Sequence, residues 1–304
     1  MDVLITGGTG QVGLELRRFA WPRGVEAHFP GRDRLDLADL SAIAATIASR
    51  PWGAVINAAA FTGVDAAQER VAEAWTLNAL APALLAAETT KADIPLVHVS
   101  TDYVFSGTKS APYVDDDKVE PLSVYGASKE GGEQAVRSGN GRHAIIRTAW
   151  VMSPHRSNFL LAILRRASEG APLKVVADQL GSPTSARHLA HALAAIALRL
   201  AGDRAAPTGT FHVVNTGSAT RHSLAQEILR HAYSGRGEAP EVEPVATGDL
   251  PPTPARRPAN SVLDCTKVAQ AYALRLPPWQ EAVAEIVAEL RAPQSAPRRE
   301  KGLA

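Results

Sequence analysis

Cysteine is almost missing from this chain: Cys265 is the single one in 304 residues. One thiol cannot build a disulfide framework, and its solitude fits a reducing compartment. It reads as a small buried hydrophobe rather than a reactive group. An excess of one charge sign is missing too. Lys and Arg number 32 against 31 Asp and Glu, for a net charge of +1, and their scatter leaves no footprint for nucleic acid. Long apolar runs are absent, because the Ala-rich stretches carry charges or histidine at short intervals, which argues against a membrane span. Met1 to Ile5 lead straight into a glycine loop with no basic segment before an apolar stretch, so they read as a strand rather than a signal peptide. The expected location is the cytoplasm. What is present is ordinary globular composition, 45% hydrophobic and 21% charged, in a length that fits one large core or two modest ones.

The first half alternates short apolar runs with longer amphipathic ones. Val3–Ile5, Val25–Phe29, Val55–Ile56, Leu96–Val99 and Ala144–Ile146 read as buried strands. Val12–Ala20, Leu40–Ser49, Ala67–Thr90 and Ser128–Arg137 read as helices. Such alternation predicts an α/β fold, a Rossmann-type doubly wound parallel sheet with helices on both faces. After Trp150 the alternation weakens. Asn158–Glu169 and Arg187–Leu200 read as helices, Leu173–Val176 and Phe211–Val214 as strands, the latter a candidate to return to the main sheet. Prolines cluster from Pro244 to Pro258 and predict an extended surface segment. A last helix, Trp279–Leu290, precedes a tail. The expected division is a dinucleotide-binding domain from 1–150 and about 186–215, a smaller α/β substrate domain from about 151–185 and 216–291, and a disordered tail over 292–304.

Gly7-Gly8-Thr9-Gly10-Gln11-Val12-Gly13 lies between the first strand and the first helix. Glycines at this spacing make a tight turn, let the backbone approach a pyrophosphate, and pack helix against strand. The free N–H groups at the helix start then receive phosphate oxygens. The second strand ends at Pro30-Gly31-Arg32. A guanidinium there suits a 2′-phosphate and favours NADPH; Asp33 beside it could serve a ribose, which leaves NADH open.

Tyr125-Gly126-Ala127-Ser128-Lys129 sets a phenol and an ammonium four residues apart on one helix face. A neighbouring ammonium is expected to draw the phenol's pKa down, toward the range useful for general acid–base catalysis. Ser100-Thr101 ends the fourth strand, where open α/β sheets place their ligand crevice, and its hydroxyl could hold a substrate carbonyl oxygen. Thr101, Tyr125 and Lys129 behind a glycine loop form the constellation of the short-chain dehydrogenases and reductases. The Asp115-Asp116-Asp117 run reads as a solvated loop. His188 and His191 lack the spacing and partners of a zinc site, so no metal ligands are assigned.

Further stretches narrow the resemblance. They include Asn57-Ala58-Ala59-Ala60 with Thr62 and Val64-Asp65, Ser100–Phe105, Val124–Gly126, Arg147-Thr148 with Trp150-Val151, Asn158-Phe159, and Asp178-Gln179 with Gly181 and Pro183-Thr184. The most specific is Pro252-Thr253-Pro254-Ala255-Arg256-Arg257-Pro258 with Asn260-Ser261. On these the chain resembles the dTDP-4-dehydrorhamnose reductases, over nearly its whole length to about Leu290.

The resemblance implies that NADPH delivers hydride to C4 of dTDP-4-dehydro-L-rhamnose while Tyr125 protonates the oxygen. It implies that Gly7, Gly10, Gln11, Val12, Gly13, Asn57, Ala58, Ala59 and Asn78 lie against the cofactor, with Arg32, Asp36 and Leu37 at its adenosine end and Tyr125 and Lys129 at its nicotinamide end. Thr62, Val64, Asp102, Tyr103 and Trp150 are implied to line the sugar-nucleotide site, with Asn158 and Arg257 on the substrate's polar groups. Some members of that family join two subunits through magnesium held by carboxylates from three stretches. Glu15 and Glu289 match two of them, but Arg187 stands at the third, where a cation repels a cation. The expectation is therefore a monomer or weak homodimer with a small-molecule substrate and no nucleic-acid or membrane partner. Two other readings are weighed. An epimerase or another nucleotide-sugar reductase shares the triad; a dehydratase needs a second carboxylate where Tyr103 stands. A non-catalytic regulator resembling the regulatory subunit of methionine adenosyltransferase would not need Thr101, Tyr125 and Lys129 together.

Overall fold

A computed structural model describes residues 1–292. Its main sheet has six strands: β1 (Asp2–Thr6), β2 (Glu26–His28), β3 (Trp52–Asn57), β4 (Leu96–Thr101), β5 (His143–Thr148) and a late returning strand, Gly209–His212. All pairs are parallel, and the spatial order is Gly209–His212, β5, β4, β3, β1, β2. Side chains alternate across each strand with the period of two that pleating imposes. Val3 and Ile5 of β1 enter one core while Leu4 enters the other; Ala54 and Ile56 of β3 are opposed to Val55 in the same way. Both faces are thus apolar and both need helices. One face is covered by α1 (Gln11–Arg18) and the long Ala-rich helix Ala186–Gly202, through Leu16, Leu189, Leu193 and Ile196. The other is covered by α2 (Leu40–Ala48) and the helices that follow it, through Ile43, Ile47, Leu85 and Val136.

The segment expected as one helix over Ala67–Thr90 is interrupted. It runs as α3 (Val64–Glu69), α4 (Val71–Trp75), a π-helical turn (Thr76–Leu80) and α5 (Ala81–Lys91). Arg70 leaves helical geometry at φ −108° and ψ 51°. The π turn buries Asn78, whose amide bonds Phe61 N and O and the Ser128 hydroxyl. A wider turn aimed at a buried polar contact is a common reason for such a break. Then α6 (Val124–Gly139) is capped by Ser123, whose hydroxyl accepts from Gly126 N at 3.2 Å.

A second core lies apart from the sheet. Here α7 (Phe159–Ser168), the strand Leu173–Val176, the helices Arg221–Tyr233 and Trp279–Arg291, and the strand Val242–Val245 bury Leu160, Leu224, Ile228, Val283 and Ile286 against one another. The helix over Arg221–Tyr233 and a short one over Thr266–Tyr272 were not expected from sequence. Nor were four two-stranded pairings that tie this region together. In one of them Val242–Val245 pairs parallel with Leu173–Val176, so the proline segment begins as a sheet strand. The Asp115–Asp117 stretch also departs from expectation. Asp115 is buried and its carbonyl accepts from Arg147; Asp117 pairs with Lys109; Asp116 alone of the three is exposed, with Lys267 Nζ 3.4 Å away. The expected tail, Ala292 apart, lies outside the described residues. No described helix is long and apolar enough to cross a membrane.

Candidate active site

In the sheet order β1 and β3 are neighbours; the connection leaving β1 runs one way, to β2, and the connection leaving β3 runs the other way, to β4, which opens a crevice between their ends. The glycine loop sits at that opening. Gly7 has φ +73°, a conformation that favours glycine, and a Cβ on it would lie 2.7 Å from the backbone of Ala58 and Ala59. Gly10 caps α1 and its N–H donates to Gly7 O at 2.9 Å. Gly13 is buried, and a Cβ there would overlap the Gly7 carbonyl. Hence Gly7 and Gly10 face the crevice, while Gly13 locks helix to loop from behind.

One cavity of about 1900 Å³ extends from this loop across the ends of β1, β3 and β4 to the second core. Gly7, Gly10, Gln11, Val12, Arg32, Asp36, Leu37, Ala58 and Ala59 line one half. Thr101, Tyr125 and Lys129 sit at the middle; Thr62, Val64, Asp102, Tyr103, Trp150, Asn158 and Arg257 line the rest. Three expected cofactor residues do not line it: Gly13, Asn57 and Asn78. The last two are fully buried. Asn57 accepts from Thr6 Oγ1 at 2.6 Å and donates to His98 Nδ1 at 3.0 Å, so it braces β1 against β3 and β4 behind the loop. Both asparagines are spent on the fold.

At the centre, burial dominates the electrostatics. It pushes the Tyr125 phenol well above its ordinary pKa, against a lowering by the facing Thr101 hydroxyl, with Asp102 and Tyr103 raising it further. The expected downward pull by Lys129 does not govern the phenol. Lys129 is 1% exposed, donates from Nζ to Val99 O at 2.7 Å, and has its own pKa lowered to about 8 by burial, with a raising effect from Glu133. The result is a protonated phenol at neutral pH beside a hydroxyl. Asp102 accepts from Thr101 Oγ1 at 3.0 Å; its Oδ2 has no partner among the described residues, and burial raises its pKa to about 6. Tyr103 packs edge-on against Tyr125, ring centroids 5.6 Å apart.

Comparison with known proteins places the chain in a family. Residues 1–292 fit the family model described as the RmlD substrate binding domain. The chain belongs to this family. It is 40% identical to a dTDP-4-dehydrorhamnose reductase of Burkholderia thailandensis, across 95% of this chain and 99% of the relative. It is 39% identical to one of Sinorhizobium fredii, across 94% and 97%. A solved dTDP-4-dehydrorhamnose reductase of Bacillus anthracis, in complex with NADP, superposes with a TM-score of 0.86 at 30% identity, covering 95% of this chain and 99% of that one.

Two expected substrate residues, Arg257 and Asn158, are engaged within the fold. Arg257 donates two bonds to Asp65, at 2.7 and 3.3 Å, and others to Thr253 and Ala255 O. It ties the proline segment to α3, making that segment a cavity wall rather than a simple surface cover. Asn158 caps α7 through Leu161 N at 3.1 Å and donates to Ser153 O at 2.9 Å, so both ends of its amide serve the local turn. Trp150 has φ +45°, rare for a bulky residue and a sign of constraint. Its indole packs where a Cβ on Gly181 would fall, which explains the glycine. Arg221 also lines the cavity, and sequence reasoning missed it because its helix was missed.

The carboxylates of the magnesium expectation meet guanidinium groups. Arg187 pairs with both Glu15 and Glu289, and Arg18 bridges the same two at 3.2 and 2.7 Å. His155 adds a contact to Glu15 at 3.1 Å. A cluster whose carboxylates are already neutralised by two arginines does not fit a divalent ion.

Proposed function

We propose that this chain reduces the C4 keto group of dTDP-4-dehydro-L-rhamnose to give dTDP-L-rhamnose, using NADPH. The observation that carries the reading is the joining of Thr101, Tyr125 and Lys129 to the glycine loop in one continuous cavity. The cradle suits a dinucleotide: Gly7 leaves room beside Ala58 and Ala59 that any side chain would fill, and the N-terminus of α1 faces it. NADPH, when bound, supplies the hydride. Tyr125 holds the proton for the carbonyl oxygen, and its raised pKa keeps that proton in place at neutral pH. Thr101 offers a hydroxyl to the same oxygen. Lys129, fixed on Val99 O, is proposed to act beside the nicotinamide ribose. Arg32, which lines the adenosine end, is proposed to favour NADPH over NADH.

Charge supports the substrate half of the reading. From Trp150 onward the cavity is lined by Arg156, Arg166, Lys174, Arg221, Arg256 and Arg257, and by no acidic residue. A chain of net charge +1 has concentrated cations on the wall that a diphosphate-linked sugar would meet. Thr62, Val64, Asp102, Tyr103 and Trp150 are proposed to surround the sugar. We assign residues 1–150 and about 186–215 to cofactor binding and the second core to substrate. A cytoplasmic monomer or weak homodimer is the accompanying proposal. Purified protein is expected to oxidise NADPH only when given the 4-keto dTDP sugar, followed by absorbance loss. NADPH binding without substrate-dependent oxidation would sink the assignment, and oxidation-independent interconversion of sugar epimers would favour an epimerase.

A further inference from the structure

Arg221 is the first residue of its helix, which Thr220 caps. Antiparallel pairing of Thr220 with Leu180 and of Ala219 with Gly181 places it beside the Trp150 indole. The guanidinium carbon lies 3.5 Å from the centre of the Trp150 ring and 5.1 Å from that of Phe159. A guanidinium laid on an aromatic face keeps its in-plane N–H donors free at the rim. Yet this one forms no ion pair with any carboxylate among the described residues, whereas neighbouring Arg257 is matched by Asp65. The charged groups acting on it are Asp102, itself pushed toward the neutral form, and the repelling Arg257; the Tyr103 hydroxyl, kept protonated by burial, is a neutral hydrogen-bonding neighbour that takes up part of its donor set. A half-buried cation with no carboxylate in direct contact is costly unless an anion arrives.

We propose that Arg221 is a specificity-determining residue that binds the phosphate adjoining the sugar of the nucleotide-sugar substrate, with Trp150 as the platform that holds its guanidinium flat. This rests on the functional reading above and names the group that reads the substrate's diphosphate. The platform is itself fixed: the Trp150 backbone sits at φ +45°, its carbonyl accepts from Thr184 N at 3.2 Å, and Gly181 leaves the indole a single seat. The guanidinium is therefore held on the cavity wall before any ligand comes, and little side-chain entropy is lost on binding.

The test titrates thymidine 5′-diphosphate and thymidine into the wild-type protein and into Arg221→Gln and Arg221→Lys, each saturated with NADPH. NADPH affinity serves as the check that each variant is folded. Arg221→Gln is expected to weaken diphosphate binding by about 10- to 100-fold, the loss typical of a charged hydrogen bond, and to leave thymidine binding unchanged. Arg221→Lys is expected to recover part of the loss, since it keeps the charge but not the flat stack. Equal weakening for both ligands would mean that Arg221 only props up Trp150, and overturns the proposal. So would unchanged diphosphate binding in a protein that still reduces the 4-keto sugar, which would leave the functional reading standing. Wild-type protein that neither binds the diphosphate nor reduces the sugar would remove both.

Discussion

Nε2 of His98 lies 3.5 Å from Nζ of Lys129, and both side chains are almost fully buried. Asn57 donates to the other ring nitrogen, Nδ1, at 3.0 Å. A chain of polar contacts thus runs from Thr6 beside the glycine loop through Asn57 and His98 to the lysine. Burial, with Lys129 nearby, holds His98 well below the ordinary histidine range, so a neutral ring faces the ammonium.

Lys129 carries a stability consequence with a definite sign. Its folded pKa is lowered from 10.5 to about 8, so the folded state binds fewer protons than the unfolded chain between those values. Stability from this group is therefore lowest below about pH 8 and rises as pH climbs toward 10.5. Lys129→Met is expected to be more stable than wild type at pH 7, by up to about 3 kcal/mol, with the gap closing at high pH. Urea unfolding at both pH values checks this. A less stable variant at pH 7 would show that the bond to Val99 O outweighs the desolvation.

Tyr125→Phe keeps the ring that packs on Tyr103 and removes the proton. Turnover is expected to fall about 10²- to 10⁴-fold with NADPH affinity unchanged. Near wild-type turnover would take Tyr125 out of the chemistry.

Arg32 lies exposed at the glycine-loop end of the cavity, beside Asp33. Arg32→Ala is expected to raise the KM for NADPH several-fold, leave that for NADH nearly alone, and so narrow the preference. An unaltered ratio of kcat/KM values would assign the preference elsewhere.

Gly181→Ala forces a methyl into the Trp150 indole. The ring must move, and with it the wall of the sugar site. A several-fold rise in KM for the sugar nucleotide is expected, without change in KM for NADPH. Core overpacking of this kind costs about 1–3 kcal/mol, so the melting temperature should drop as well. Unchanged kinetics would mean that Trp150 is only a packing residue.

Prolonged dialysis against a chelator is expected to leave both turnover and oligomeric state as they were. Arg187 and Arg18 already balance Glu15 and Glu289. Loss of activity that magnesium restores would contradict the geometry of that cluster.

The first half of the fold was readable because its strands, β2 apart, are apolar runs buried on both faces, each followed by a turn and a helix. The second half was harder for a physical reason. Pairings of two residues, such as Val151–Met152 with Thr184–Ser185, are too short to show any periodicity. The Arg221–Tyr233 helix did offer a signal in the spacing of buried Leu224, Ala225, Ile228 and Leu229, and in the Thr220/Ser223 capping pair. Without that helix Arg221 was only one arginine among many. Thr101, Tyr125 and Lys129, which meet in one cavity, were legible as a set since the proposed chemistry restricts residue type; Asn57 and Asn78 lie behind that cavity, and a buried amide that braces a loop looks, in sequence, like one that touches a ligand.

The cationic wall also bears on how the substrate arrives. Of the six positive side chains that line this part of the cleft, Lys174 and Arg257 are paired with Glu243 and Asp65, and the other four bias diffusion, so a dianionic ligand is drawn in with its phosphates leading and its sugar following. That pull extends only about 8 Å at physiological ionic strength. It acts at the mouth of the cleft rather than across open solution, and the same field that hastens entry delays the departure of an equally charged product.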